Sequence, residues 1–181
     1  MKRILLFCLM AVFMASCSSE PTLQKYYVEK SGKPGFISLD IAPTVIDTKK
    51  IKLSPEEETA LKSLHKFNVL VYKTDSLDVN HAKYNTEKDK VKSLVKGEYE
   101  ELIKINNGAG GASISTKGEG EHIEEFVVFL HNQENGFGVV RVMGEDMTPN
   151  NILTIAGLIQ KAPDVLNMEQ LKPLEQLMTK K

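Results

Sequence analysis

Apolar positions change period several times along this chain, and each change marks an element. Leu23, Tyr26 and Tyr27 stand at i, i+3 and i+4, one face of a helix, and Ser31-Gly32-Lys33-Pro34-Gly35 predicts the turn that stops it. From Phe36 to Ile41 the spacing drops to two. Ile37, Leu39 and Ile41 alternate with Ser38 and Asp40, as in a half-buried strand. Ser54-Pro55-Glu56-Glu57 is the clearest helix start: Ser54 caps, Pro55 suits the first helical position and Glu57 completes a capping box. Ala60, Leu61, Leu64 and Phe67 then supply a buried stripe. Val69-Leu70-Val71-Tyr72 follows without alternation, which predicts a short strand in a central position.

A lysine-rich helix is predicted from about His81 to Lys96, with Tyr84, Val91, Leu94 and Val95 as its narrow apolar face and Gly97 placed to cap its end. Strands follow at Glu98 to Ile105, Ala112 to Thr116, Ile123 to Leu130 and Phe137 to Met143. Asn106-Asn107-Gly108, Lys117 to Glu121 and Asn135-Gly136 join them, and connections this short imply an antiparallel meander. Thr148-Pro149 opens another helix with Ile152, Ile155, Ala156 and Ile159 on one face. Val165, Met168, Leu171, Leu174 and Met178 are placed to line a C-terminal helix, which Pro173 would kink. The order predicts an α+β domain over residues 23–160, a largely antiparallel sheet of about five to six strands with helices packed on one face, and a helical extension over 161–181.

The first residues belong to a different pattern. Lys2 and Arg3 precede an apolar run from Ile4 to Ala15, too short to remain as a membrane helix. Met14-Ala15-Ser16-Cys17 resembles a bacterial lipobox, with Met14 where leucine is more common. Residues 1–16 therefore read as a lipoprotein signal peptide, Cys17 as the lipidated residue and 17–22 as the start of a tether. Lipidation also accounts for the cysteines: Cys8 leaves with the signal, and Cys17 is then the one thiol in an exported chain. Thioether attachment at the Cys17 sulfur, cleavage before it and acylation of the new amino terminus, with palmitate-type chains, would hold the protein on a membrane stably. The expected location is the cell membrane or the outer membrane. Ser18-Ser19-Glu20 lacks the aspartate that often retains lipoproteins at the inner membrane, which leans toward the outer one.

Composition narrows the partners. Without Lys2 and Arg3 the chain carries 21 Lys+Arg against 24 Asp+Glu, and Arg141 is its remaining arginine. No clustered basic stretch points to nucleic acid.

Gly97-Glu98-Tyr99-Glu100-Glu101-Leu102-Ile103, then Ile123-Glu124-Glu125-Phe126-Val127-Val128, then Val139-Val140-Arg141-Val142-Met143-Gly144 before a helix, form a series that resembles one family. It is similar to the small lipoproteins of Bacteroidota that carry the uncharacterised domain DUF4252. The likeness spans most of Thr22 to Ile159. It implies an envelope location and a domain identity, and it brings no activity.

Candidate chemistry is sparse. His65, His81, His122 and His131 match no metal-ligand spacing, and Gly108-Ala109-Gly110-Gly111 precedes a strand where a phosphate loop needs a helix. Glu100-Glu101 and Glu124-Glu125 are adjacent on strands, so each pair splits between two faces and is expected on solvated edges. Gly144-Glu145-Asp146 with Asn150 and Asn151 lacks the spacing of a calcium-binding EF-hand. The expectation is thus no metal, no cofactor and no catalytic set. The chain reads as a non-enzymatic binding or interaction module on a lipid tether, with another envelope protein as partner. Two alternatives remain: a binder of a small apolar or lipidic ligand in a cavity lined by Phe126, Val128, Phe137 or Val139, and a hydrolase using His122 or His131 with a carboxylate and a hydroxyl.

Overall fold

The computed structural model describes residues 20–74, 81–120 and 122–162; Cys17, the signal segment and the C-terminal apolar stripe lie outside them. Six strands form where the sequence alternates or runs apolar: β1 (Phe36–Ile41), β2 (Leu64–Lys73), β3 (Glu100–Asn106), β4 (Gly110–Glu119), β5 (His122–Asn132) and β6 (Gly136–Met147). They make one wholly antiparallel sheet in the order β1-β2-β6-β5-β4-β3. The predicted meander is the run β3 to β6, and β2 completes the sheet by pairing with β6.

Among the described residues four α-helices accompany it: α1 (Leu23–Lys30), α2 (Pro55–Lys62), α3 (Ala82–Glu98) and α4 (Pro149–Lys161). Among the described residues no helix is long and apolar enough to cross a membrane. The α+β class with an antiparallel sheet is as expected, but the helices cover both faces rather than one. Leu70, Tyr72, Val127 and Val139 pack with Tyr26 and Leu23 of α1 and Val91 and Leu94 of α3. The alternate positions Val69, Phe126 and Val142 pack with Ala60 of α2 and with Ile155 and Leu158 of α4. The cause lies in β2, β5 and β6. Their apolar residues fill both sides of each strand, and burying each large one is worth about 1.5–3 kcal/mol, so neither side can stay wet.

Local signals set the helix starts. Ser54 and Glu57 form the expected capping box, with Ser54 N–H donating to Glu57 Oε2 at 2.8 Å and Glu57 N–H to Ser54 Oγ at 3.2 Å. Thr148 and Asn151 repeat that reciprocal arrangement at α4. Two element ends and one helix face differ from expectation. Helix α2 stops at Lys62, so Leu64 and Phe67 belong to β2, where Leu64 aligns with Gly144 and Phe67 with Val142. Gly97 lies inside α3; the chain leaves the helix at Tyr99 in an ordinary extended conformation that needs no glycine. On α4 the inward stripe is Ile152, Ile155 and Leu158, and Ala156 is exposed.

Aromatic rings hold the end of the sheet where β1 begins. Phe36 lies 5.0 Å from Tyr72 between centroids, and Tyr72 stacks on Phe137 at 5.2 Å. Such pairs add about 0.5–1.5 kcal/mol each beyond burial. Gly136 permits this junction of β2 and β6, because a Cβ there would stand 1.9 Å from Tyr72 O.

Candidate functional site

Arg141, expected as the one arginine, is 5 % exposed on β6 beneath α1. Its Nε donates to Glu125 Oε1 at 2.5 Å and an Nη to Glu125 Oε2 at 3.2 Å, a two-pronged grip on the neighbouring strand. The same guanidinium donates to Gln24 of α1 and reaches Asn68 Oδ1 at 3.5 Å. Tyr99 Oη donates to Glu125 Oε1 at 2.8 Å. Asn68 and Tyr27 in turn donate to Asp40. Burial opposes the guanidinium charge, yet the Glu125 carboxylate outweighs it and raises the Arg141 pKa. Burial and then Glu125 push the Tyr99 phenol up; burial and then Asp40 push Tyr27 up to about 12. The expectation for Glu124-Glu125 therefore holds for Glu124 and fails for Glu125, which is buried at 8 % exposure because its face carries the arginine. Every polar group named here faces another protein group, so the network orients α1 on the sheet.

The histidines stay apart. His122 Nδ1 meets Asp146 Oδ1 at 2.8 Å, but both side chains are about three-quarters exposed and, among the described residues, no hydroxyl is hydrogen-bonded to the pair. His65 approaches Glu145 at 3.9 Å. His131 packs against the Phe129 ring, and burial followed by Lys92 and Lys88 lowers its pKa. Asn151 is engaged in the α4 cap, and among the described residues no three His, Cys, Asp or Glu side chains converge as metal ligands. Gly108 to Gly111 carry the β3–β4 hairpin, as read from the sequence. The four residues considered for an apolar cavity divide between the two faces. Phe126 and Val128 share one, Phe137 and Val139 the other, and Phe126, Phe137 and Val139 are each under 5 % exposed.

The open chemistry lies at strand β3. It is the edge opposite β1, and all seven of its residues are exposed, including Leu102 at 45 %, Ile103 at 50 % and Ile105 at 59 %. Ile105, Ala112 and Leu130 align across β3, β4 and β5, so Ile105 shares a face with Leu130, which is 50 % exposed. A β-bulge between Glu101 and Ile103 breaks the ladder beside Leu102. At that point a cleft of about 820 Å³ opens, lined in part by Leu102, Thr116, Ile123 and Pro149, with Glu98, Glu100 and Lys117 around them. An edge strand offers unpaired N–H and C=O groups to another chain, and the cleft can accept a side chain beside it. The sequence showed Glu98 to Ile105 as a strand; its edge position depends on α3 carrying the chain across the sheet, which no local pattern encodes.

The family described as Domain of unknown function (DUF4252) matches residues 26–155, from α1 through Ile155 of α4. No curated protein and no solved structure is matched by the chain.

Proposed function

This chain belongs to the DUF4252 family, and we propose that it works as a lipid-tethered interaction module of the cell envelope with no catalytic role. Its partner is an extended segment of another envelope protein, added as a seventh strand along β3 with one side chain in the adjoining cleft. The observation that carries this reading is that β3 is exposed at every residue, among them the apolar Leu102, Ile103 and Ile105. Natural sheets usually blunt such an edge with charge, proline or a covering element. Glu100, Glu101 and Lys104 do this only in part, since Lys104 Nζ is turned back to Glu101 at 3.1–3.2 Å. The tether follows from the Met14-Ala15-Ser16-Cys17 pattern. It would place the module at the cell membrane or outer membrane, five residues of linker before α1.

A photo-cross-linking residue at Ile105, in protein expressed in its native membranes, tests the reading. A discrete adduct is expected from Ile105 and not from Glu58, which is exposed on α2 just ahead of β2, with three strands between β2 and β3 in the sheet. Equal labelling from both positions would contradict an edge-directed interaction.

A further inference from the structure

Between α3 and the β3 edge, on the face that also carries α1, several positive groups surround a row of small residues. On β4, Gly111, Ser113 and Ser115 point to this face. Ser113 aligns with Phe129 and Ser115 with Val127, both in the core beneath α1 and α3. Lys104 of β3 aligns with Ser113, and His131 of β5 with Gly111. His131 lies over the glycine, because a Cβ on Gly111 would come within 2.9 Å of Nε2. Lys88 and Lys92 sit one turn apart on α3, on the opposite flank from Glu87 and Glu98, which are turned to α1.

Three lysines and a histidine thus converge from three elements on one strip. Their proximity is electrostatically visible. Burial, then Lys88, with Lys104 also contributing, lowers the Lys92 pKa, and Lys92 and Lys88 act the same way on His131. Opposing charge comes from two exposed carboxylates, of which Asp89 also acts on Lys92 and His131. Asp89 meets Lys88 at 3.7 Å and is 69 % exposed; Glu101 meets Lys104 in an exposed pair. The floor offers hydroxyls as well. Ser113 is half-buried, and Ser115, 1 % exposed, has an Oγ with no hydrogen-bond partner among the described residues. Buried hydroxyls are nearly always bonded, and this unpartnered one lies two residues along β4 from Ser113 on the same face.

We infer that Lys88, Lys92, Lys104 and His131, over the Ser113–Ser115 row, form a binding site for a phosphate-class oxyanion. Lysine holds such a group as a point charge from several directions. The hydroxyls give hydrogen bonds that a chloride ion cannot use as well as a tetrahedral oxyanion does. This site is distinct from the β3 cleft, whose lining includes none of the four cationic residues. The oxyanion can belong to a free phosphate or to a lipid headgroup.

The test is a titration of the full-length protein in nonionic detergent with inorganic phosphate, at constant ionic strength set by chloride, followed by calorimetry and by the His131 imidazole resonances. Saturable binding is expected, with the His131 signals moving along the same curve. Lys92→Gln and Lys104→Gln should each weaken it at least about fivefold, whereas Lys62→Gln, on α2 across the sheet, should leave it unchanged. Dihexanoyl phosphatidate is the second probe. Binding more than about tenfold tighter than phosphate identifies a lipid headgroup, and equal binding identifies a soluble phosphate. Absence of saturable binding by both probes, or equal weakening by Lys62→Gln and Lys92→Gln, would overturn the inference.

Discussion

Arg141 and Glu125 face each other across β6 and β5 through two N–H···O contacts, sealed under α1 at 5 % and 8 % exposure. A buried charge without its partner is far more costly than the pair, so losing one partner and losing both have unequal costs. Glu125→Leu or Arg141→Met alone should cost about 3–5 kcal/mol in urea unfolding. The combined Glu125→Leu, Arg141→Met variant should lose less than the two single losses together. Strict additivity would contradict the coupling.

Alkaline stability follows from the phenols. Tyr27 titrates at about 12 in the folded chain, against 10.0 for an unperturbed tyrosine, because burial and Asp40 disfavour its anion. The unfolded state therefore releases that proton first, and stability declines as pH rises from about 10 toward 12. Below about pH 10 the contribution is fully present. Tyr27→Phe should flatten the decline in this window, measured as unfolding free energy against pH.

Two glycines respond in opposite directions. Gly136 has φ +115°, and a Cβ would meet Tyr72 O at 1.9 Å, so Gly136→Ala should destabilise by roughly 3 kcal/mol or more, through strain and a broken β2–β6 junction. Gly97 lies within α3 with nothing within 4 Å of an added Cβ. Gly97→Ala should stabilise by about 0.5–1 kcal/mol. Thermal unfolding of the two variants checks both signs.

The edge strand separates stability from association. Ile103 and Ile105 are at least half exposed, so Ile103→Lys with Ile105→Lys should shift unfolding by no more than about 0.5 kcal/mol per site. With the photo-cross-linking residue kept at position 105, Ile103→Lys alone should abolish the adduct at the β3 edge. A large loss of stability would mean that these side chains are covered in the free protein.

Much of the fold can be read from local pattern. The capping box at Ser54, the α3 face at Tyr84, Val91, Leu94 and Val95, and the six strands each depend on spacing within one element, and all are present. Features set by distant residues were less legible. The unbroken run Val69 to Tyr72 already requires cover on both faces, yet helices on both sides become evident only when Leu70 meets α1 and α3 while Val69 meets α2 and α4. Glu125 looks like half of a solvated pair, because its partner lies sixteen residues away on another strand. The cationic strip is still less accessible, since the sheet register brings Lys104 and His131 to one face and Lys88 joins them only through the packing of α3 on the sheet.

The tether to a membrane is the claim on which the proposed role depends most. Mass spectrometry of the protein from native membranes, in wild type and Cys17→Ala, tests it most directly. The account predicts an acylated amino-terminal peptide beginning at Cys17, absent from the variant, which should lose its membrane association. An unmodified protein with a different amino terminus, released in soluble form from both strains, would contradict it.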